Sequence, residues 1–284
     1  MSKDNFVLQI KASYNQFTRA EKKVADYVLD NQEKVLYMSI TDLADACEVG
    51  DASVYRFCRT MKLQGYQEFK MKLSLKPGGF GRLRNRSRER PGGQLRRHDA
   101  ENHGTAYKRH QRNLYAAGER ETFSKVISMF EAAGRIHFFG IGDSLLTAEE
   151  ARNKFLRLTN KVSCITDPHM QSMAASLCTQ DDPDHYFSYS GATKDNIHVA
   201  KLAKEAGAKI VCITHFRKSP LTEYCDAVLL CGSNEAPAGG GSMKAKMSQL
   251  YLVDMLYQEY YERNFEECKR NNEITSRSVV EKLF

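Results

Sequence analysis

The chain has 284 residues, enough for two domains or one large one, and its 42% hydrophobic and 27% charged residues are an ordinary globular balance. No window approaches the roughly 18 uninterrupted apolar residues of a membrane span, the charged start "MSKDNFVLQIKASYNQ" has no apolar core of signal-peptide length, and eight cysteines without a C-x-x-C pair read as reduced core thiols in the cytoplasm rather than a zinc site or disulfide framework. The net charge of +7 is local: Lys76 to Arg97 hold eight positive residues and one negative, the whole surplus, so global charge carries no argument for nucleic acid.

Residues 1–75 read as a helical domain. "FTRAEKKVADYVLDN" offers Thr18 as N-cap with Glu21 at capping-box spacing, and Phe17, Val24, Ala25 and Val28 share a face. "ITDLADAC" places Ile40, Leu43, Ala44 and Cys47 at helical spacing, and after "EVGD" the stretch "ASVYRFCRTM" turns Val54, Phe57, Cys58 and Met61 toward a core. That leaves Ser53, Tyr55, Arg56, Arg59 and Thr60 outside, an arginine- and hydroxyl-bearing face on the second of two short helices joined by a glycine-containing turn. Such a pair is a helix-turn-helix, with Lys62, Lys70 and Lys72 near enough for phosphate contacts. A plain three-helix bundle with a solvated basic face fits the periodicity equally. Gly50 stands ahead of the third helix, which leaves Asp51 as the capping candidate.

Residues 76–104 change character to Gly, Pro and Arg with almost no apolar periodicity. A flexible linker, a nucleic-acid-binding basic tail and a stretch translated out of frame all fit; the physical behaviour expected is a linker's, and no function is placed there.

From residue 105 to 284 the pattern is globular again. A helix ending at Gly134 precedes "RIHFFG", "KVSCIT", "HYFSYS", "KIVCIT" and "AVLLCG", short β-branched or aromatic runs separated by helices. A parallel sheet of five strands in the flavodoxin-like order 2-1-3-4-5 is expected, closed by a final helix whose Leu250, Val253, Leu256 and Tyr257 suit a core or an oligomer surface equally. "HYFSYS" is irregular for a central strand, since it opens on His185 after the polar "TQDDPD".

In that order the first and third strands flank the point where strand order reverses, so "GIGDS" and "SYSGAT" face one crevice. Ser144, Ser188, Ser190 and Thr193 supply hydroxyl donors, Gly142 and Gly191 let backbone approach, and helix N-termini follow both loops, a phosphate site needing no charged residue. The plain alternative is that these hydroxyls are N-caps. Dinucleotide binding is disfavoured: Gly140 and Gly142 begin a G-x-G pattern, Leu145 occupies the third glycine's place, and Asp167 before Pro168 is equally a ribose-binding acid or a turn residue.

The pairing of "GIGDS" with "SYSGAT" resembles the sugar-isomerase (SIS) domain, and "SITDLADACEVGDASVYRFCRTMKLQGYQEFK" resembles the helix-turn-helix of RpiR-type transcription regulators. "KFLRL", "DPHMQSMAASL", "SGATKD" and "KMSQLYLVD" are similar to the regulatory SIS domain of that group, over about residues 1–75 and 105–265. The resemblance implies an N-terminal all-α helix-turn-helix domain and a C-terminal α/β flavodoxin-like SIS domain. It also implies a cytoplasmic homodimer or homotetramer that binds a double-stranded DNA operator under control of a sugar phosphate, with no cofactor and no metal. By position, Gly142, Ser144, Ser188, Ser190, Gly191 and Thr193 would hold the phosphosugar, and Ser53, Tyr55, Arg56, Arg59 and Lys62 would face DNA from a recognition helix over residues 52–61. The rival is a phosphosugar isomerase with an accessory helical domain, whose base would be His215, His169 or Glu235.

Overall fold

The computed structural model describes residues 3–74, 117–232 and 243–280. The chain divides into two compact units, one N-terminal and helical, the other α/β. The Arg-rich stretch at 76–104 and Glu235 lie outside the described residues.

The helical unit comprises α1 (Lys3–Ser13), α2 (Arg19–Asp30), α3 (Gln32–Val35), α4 (Ile40–Ala46), α5 (Asp51–Thr60) and α6 (Tyr66–Ser74). Thr18 and Glu21 form the full capping box at the start of α2, and Ser39 with Asp42 repeats it at α4. Phe17, Val24, Ala25, Val28, Leu43, Val54, Phe57 and Cys58 fill one core with Phe6 and Phe69, where Phe57 meets the rings of Phe17 and Phe69 at 5.1 and 5.7 Å. Met61 lies at the rim of that core, half-buried against it.

The α/β unit runs α7 (Ala117–Ala132), β1 (Ile136–Gly140), α8 (Asp143–Phe155), β2 (Val162–Cys164), α9 (Pro168–Ser176), β3 (Asp184–Phe187), α10 (Lys194–Glu205), β4 (Ile210–Thr214), β5 (Ala227–Leu230), α11 (Met243–Arg263) and α12 (Phe265–Val280). All strand pairs are parallel and the order is β2-β1-β3-β4-β5, the order expected from the sequence. The central strand β4 is buried along its whole length, while the outer strands β2 and β5 are partly half-buried. Phe138, Phe187, Val211 and Ile213 face a core shared with α7, α8 and α11, while Phe139, Tyr186, Ile210 and Cys212 face one shared with α9 and α10. Val253 and Leu256 of α11 belong to the first core, with Tyr257 packed against it. These residues are core, then, and not a free oligomer surface.

The irregular third strand is explained by His185. It is 0% exposed, its ring stands edge-on to Phe130 at 4.3 Å, and neither ring nitrogen has a hydrogen-bond partner among the described residues. Burial pushes its pKa down to about 3, so His185 is a neutral aromatic filler.

Candidate functional site

In the helical unit, α4 and α5 are joined by a turn whose left-handed residue is not glycine. Glu48 takes φ 53°, and Val49 N–H returns to Ala44 O at 3.0 Å, closing α4 in a Schellman turn. Lys62, at φ 59°, closes α5 the same way through Leu63 N–H to Cys58 O at 2.9 Å. Gly50 is the N-cap of α5 and Asp51 the first helical residue, so Asp51 does not cap. Its carboxylate instead accepts from Thr41 Oγ1 at 2.8 Å and ties α5 to α4.

Of the five residues expected to point outward from α5, Arg56 and Arg59 are exposed and Tyr55 is half-buried against the core. Ser53 is a correction: it is 8% exposed, on the Phe57 side of the helix, and its Oγ accepts from Arg56 Nη2 at 3.1 Å. Thr60 is half-buried, and its hydroxyl donates to Glu21 Oε1 at 2.7 Å. Burial would raise the Glu21 pKa, but the Thr18 amide and the two threonine hydroxyls outweigh it and hold the carboxyl below its usual value. Glu21 thus caps α2 and anchors α5 at once. Arg56, Arg59 and Lys62 follow at i, i+3 and i+6, all exposed, a positive edge along the helix. Lys70 is the second correction: it is 3% exposed with Nζ donating to Met38 O at 3.1 Å, and a nucleic-acid phosphate cannot reach it. Lys72 pairs with Glu68 at 3.4 Å.

In the α/β unit, β1 ends at Gly140 and β3 at Phe187, and these two residues are register partners. The loops leaving them therefore start side by side at the carboxyl edge of the sheet, where strand order reverses. Gly140 lets α8 begin directly against the strand, because a Cβ there would stand 2.6 Å from Ser144 O. Gly142 then turns at φ 60°, ψ −128°, a conformation left to glycine, and Ser144 falls in the first turn of α8. In the second loop Gly191, at φ 61°, lies against buried Ser219, and Leu221 N–H donates to Gly191 O at 3.0 Å.

Neither following helix uses a side chain as its cap: Gly142 precedes α8, and Thr193 precedes α10 with no side-chain bond to it. The N-cap explanation for the clustered hydroxyls is thereby removed. Ser190 Oγ accepts from Ala192 N–H at 3.2 Å, and Ser188, 2% exposed, has no partner for its Oγ among the described residues. Ser144, Ser190 and Thr193 are half-buried. The first turns of α8 and α10 carry Asp143 and Asp195, which oppose an anion there. Asp143 is met by Lys246 Nζ of α11 at 3.3 Å, which brings a cation to the same lip. Sequence reasoning missed Lys246, and at 103 residues from Asp143 no local pattern connects the two.

Of the proposed bases, His215 lies beside the second loop, its backbone N–H donating to Tyr189 O at 3.1 Å. Asp167 accepts from Met170 N–H at 3.0 Å and caps α9 with Pro168 at its first position, the turn role rather than the ribose-binding one. His169 follows, exposed on α9. His215 stacks on Tyr189 at 5.0 Å, and its Nδ1 lies 3.1 Å from Cys231 O. No cluster of metal-ligating side chains occurs among the described residues.

A helix-turn-helix with a cationic edge, in one chain with an α/β unit whose hydroxyl-bearing loops leave neighbouring strand ends, defines a two-domain DNA-binding regulator. Residues 4–76 match the helix-turn-helix domain of the rpiR family, and residues 129–258 match the SIS domain. An HTH-type transcriptional regulator of Haemophilus influenzae is 32% identical over 90% of each chain, and the regulator HexR of Pseudomonas aeruginosa is 30% identical over 89% of this chain and 87% of its own. The solved NanR protein of Vibrio vulnificus, complexed with ManNAc-6P, is 26% identical, with a TM-score of 0.80 over 98% of this chain and 100% of that one. The chain belongs to the RpiR family of HTH-type transcriptional regulators with a C-terminal SIS domain.

Proposed function

We propose that this regulator senses a sugar phosphate in the crevice between the β1 and β3 loops, and that occupancy of the crevice sets its affinity for a double-stranded DNA operator. The observation that carries the reading is the pair of hydroxyl-bearing loops leaving register-paired strand ends, with both following helices uncapped by side chains. A phosphate there accepts from Ser144, Ser188, Ser190 and Thr193 and from backbone N–H groups opened by Gly142 and Gly191, with Lys246 offsetting Asp143. That NanR is described with ManNAc-6P supports a 6-phosphosugar as the class of effector. In this reading the unit binds its ligand without converting it, in line with relatives named as transcriptional regulators.

On the DNA side, Arg56, Arg59 and Lys62 lie along the exposed edge of α5 and Tyr55 beside them, which suits phosphate and guanine contacts from a major-groove helix. Residues 1–75 act as the DNA-binding domain, 76–104 as the linker and 105–284 as the sensor. A homodimer or homotetramer presents two recognition helices to paired half-sites, and the ligand shifts the balance between arrangements of different DNA affinity, with reciprocal coupling.

A thermal-shift screen against hexose 6-phosphates and their free sugars tests the reading. A ligand that binds only the folded state raises the melting temperature. A shift with a phosphosugar and none with its free sugar is expected; no shift with any phosphosugar would refute the site.

A further inference from the structure

The floor beneath the two loops is built from carboxamides rather than hydroxyls. Gln171 of α9 is fully buried, and its Nε2 donates to Gly140 O, the last carbonyl of β1, at 3.2 Å and to Ile165 O, just past β2, at 2.7 Å. Asn196, 1% exposed in the first turn of α10, directs its Nδ2 to Phe187 O, the last carbonyl of β3, at 3.4 Å. Because Gly140 and Phe187 are register partners, two side chains from two helices close on neighbouring strand ends at one place in the sheet.

Each carboxamide leaves its own oxygen buried and without a partner among the described residues. A buried acceptor left unpaired is destabilising, and in each carboxamide that cost stands against what its N–H group supplies. What the amides supply and leucine cannot is a donor to a strand-end carbonyl. Those carbonyls are the fixed points from which the two loops depart. Covering them with N–H groups also reduces the negative potential beside a crevice that must accept an anion.

We propose that Gln171 and Asn196 are positioning residues for sugar-phosphate binding. They touch no ligand, but their grip on Gly140 and Phe187 sets the spacing between the loop that carries Ser144 and the loop that carries Ser190. This rests on the phosphosugar reading of the crevice and adds the two side chains that hold it in shape.

The test titrates the full-length protein calorimetrically with glucose 6-phosphate, fructose 6-phosphate and N-acetylmannosamine 6-phosphate, then repeats the best binder with Gln171→Leu, Asn196→Leu and Asn196→Asp. The leucine variants, which leave strand-end carbonyls without these donors, are expected to melt somewhat below wild type while affinity falls about tenfold or more, the scale seen for partners that orient metal ligands. DNA affinity without sugar should be unchanged. Asn196→Asp, measured against wild type between pH 8 and 5.5, should regain affinity toward the acid end, because only a protonated carboxyl can donate to Phe187 O. Leucine variants that bind like wild type would overturn the proposal. So would an Asn196→Asp pH profile parallel to wild type, which decides the matter if the leucine variants fail to fold. If wild type binds none of the three phosphosugars, the site reading fails and this proposal falls with it; a loss confined to the variants leaves the site reading intact.

Discussion

Gly140→Ala probes the close contact on which the crevice depends. The added Cβ would lie 2.6 Å from Ser144 O, 2.8 Å from Ser144 C and 2.9 Å from Leu145 N, all backbone atoms of the first turn of α8. Comfortable carbon contacts begin near about 3.5 Å, so the start of α8 must retreat by roughly 1 Å. No side-chain rotation can relieve the overlap. Overpacking of this kind costs about 1–3 kcal/mol, and about 2 kcal/mol lowers the melting temperature of a unit this size by roughly 4–8 °C. The same displacement carries Ser144 and the α8 N-terminus away from the second loop, so phosphosugar affinity should fall at least about tenfold, equivalent to 1.4 kcal/mol. Gly207→Ala is the control: its φ of 92° makes alanine strained, its surroundings are open, and it follows α10 at the opposite end of that helix. It should lower stability by about 1 kcal/mol and leave ligand affinity alone. Calorimetric melting and a phosphosugar titration of both variants decide it. Wild-type melting and affinity in Gly140→Ala would refute the argument.

Two further predictions concern buried titratable groups. With its pKa lowered from 6.5 to about 3, His185 binds a proton in the unfolded chain before the folded one, so stability is present above pH 6.5 and lost as pH falls toward 3. About 2 kcal/mol should disappear between pH 7 and pH 5, and His185→Leu should flatten that part of the pH–stability curve; an unchanged acid limb would contradict the burial argument. Lys70 is lowered from 10.5 to about 8 by burial, so its penalty is fully present below pH 8 and relieved as pH rises toward 10.5. The difference in stability between Lys70→Met and wild type, followed by denaturant melts of the helical unit, should therefore shrink above pH 8; a constant difference would show that Lys70 keeps its proton there. In α5, Arg56→Ala should weaken operator binding about fivefold to a hundredfold without changing phosphosugar affinity, measured by anisotropy at two salt concentrations, and equal operator binding by the variant would remove Arg56 from the proposed interface.

The elements that were legible in the sequence are those governed by local rules. Thr18 and Glu21 announced a capping box three residues apart, the apolar spacing of Val54, Phe57 and Cys58 set the buried face of α5, and alternation of strands and helices implied a parallel sheet. Ser53 was misplaced because a small hydroxyl residue at the edge of an apolar face is tolerated when a neighbour satisfies it, and Arg56 does so. Thr60 and Glu21 meet across 39 residues, which no window reveals. Lys70 reads as a surface cation until Met38 O is seen to receive it. The second C-terminal helix, α12, escaped because it buries Cys268 but few other apolar residues and so lacks a core stripe. That the two glycine- and hydroxyl-bearing loops leave neighbouring strand ends was legible once the strand order was taken. The contacts of Lys246, Gln171 and Asn196 were not, since they form only after the sheet brings distant segments together.

The most direct test of the account is an operator titration with and without the effector. A DNA fragment selected by the full-length protein from a random library is titrated by fluorescence anisotropy in the absence and presence of the phosphosugar found by thermal shift, for wild type and Ser190→Ala. The account predicts that the phosphosugar changes wild-type operator affinity, that the free sugar does not, and that Ser190→Ala binds the operator normally but no longer responds. An operator affinity indifferent to every phosphosugar that binds, or a Ser190→Ala variant with the full wild-type response, would contradict it.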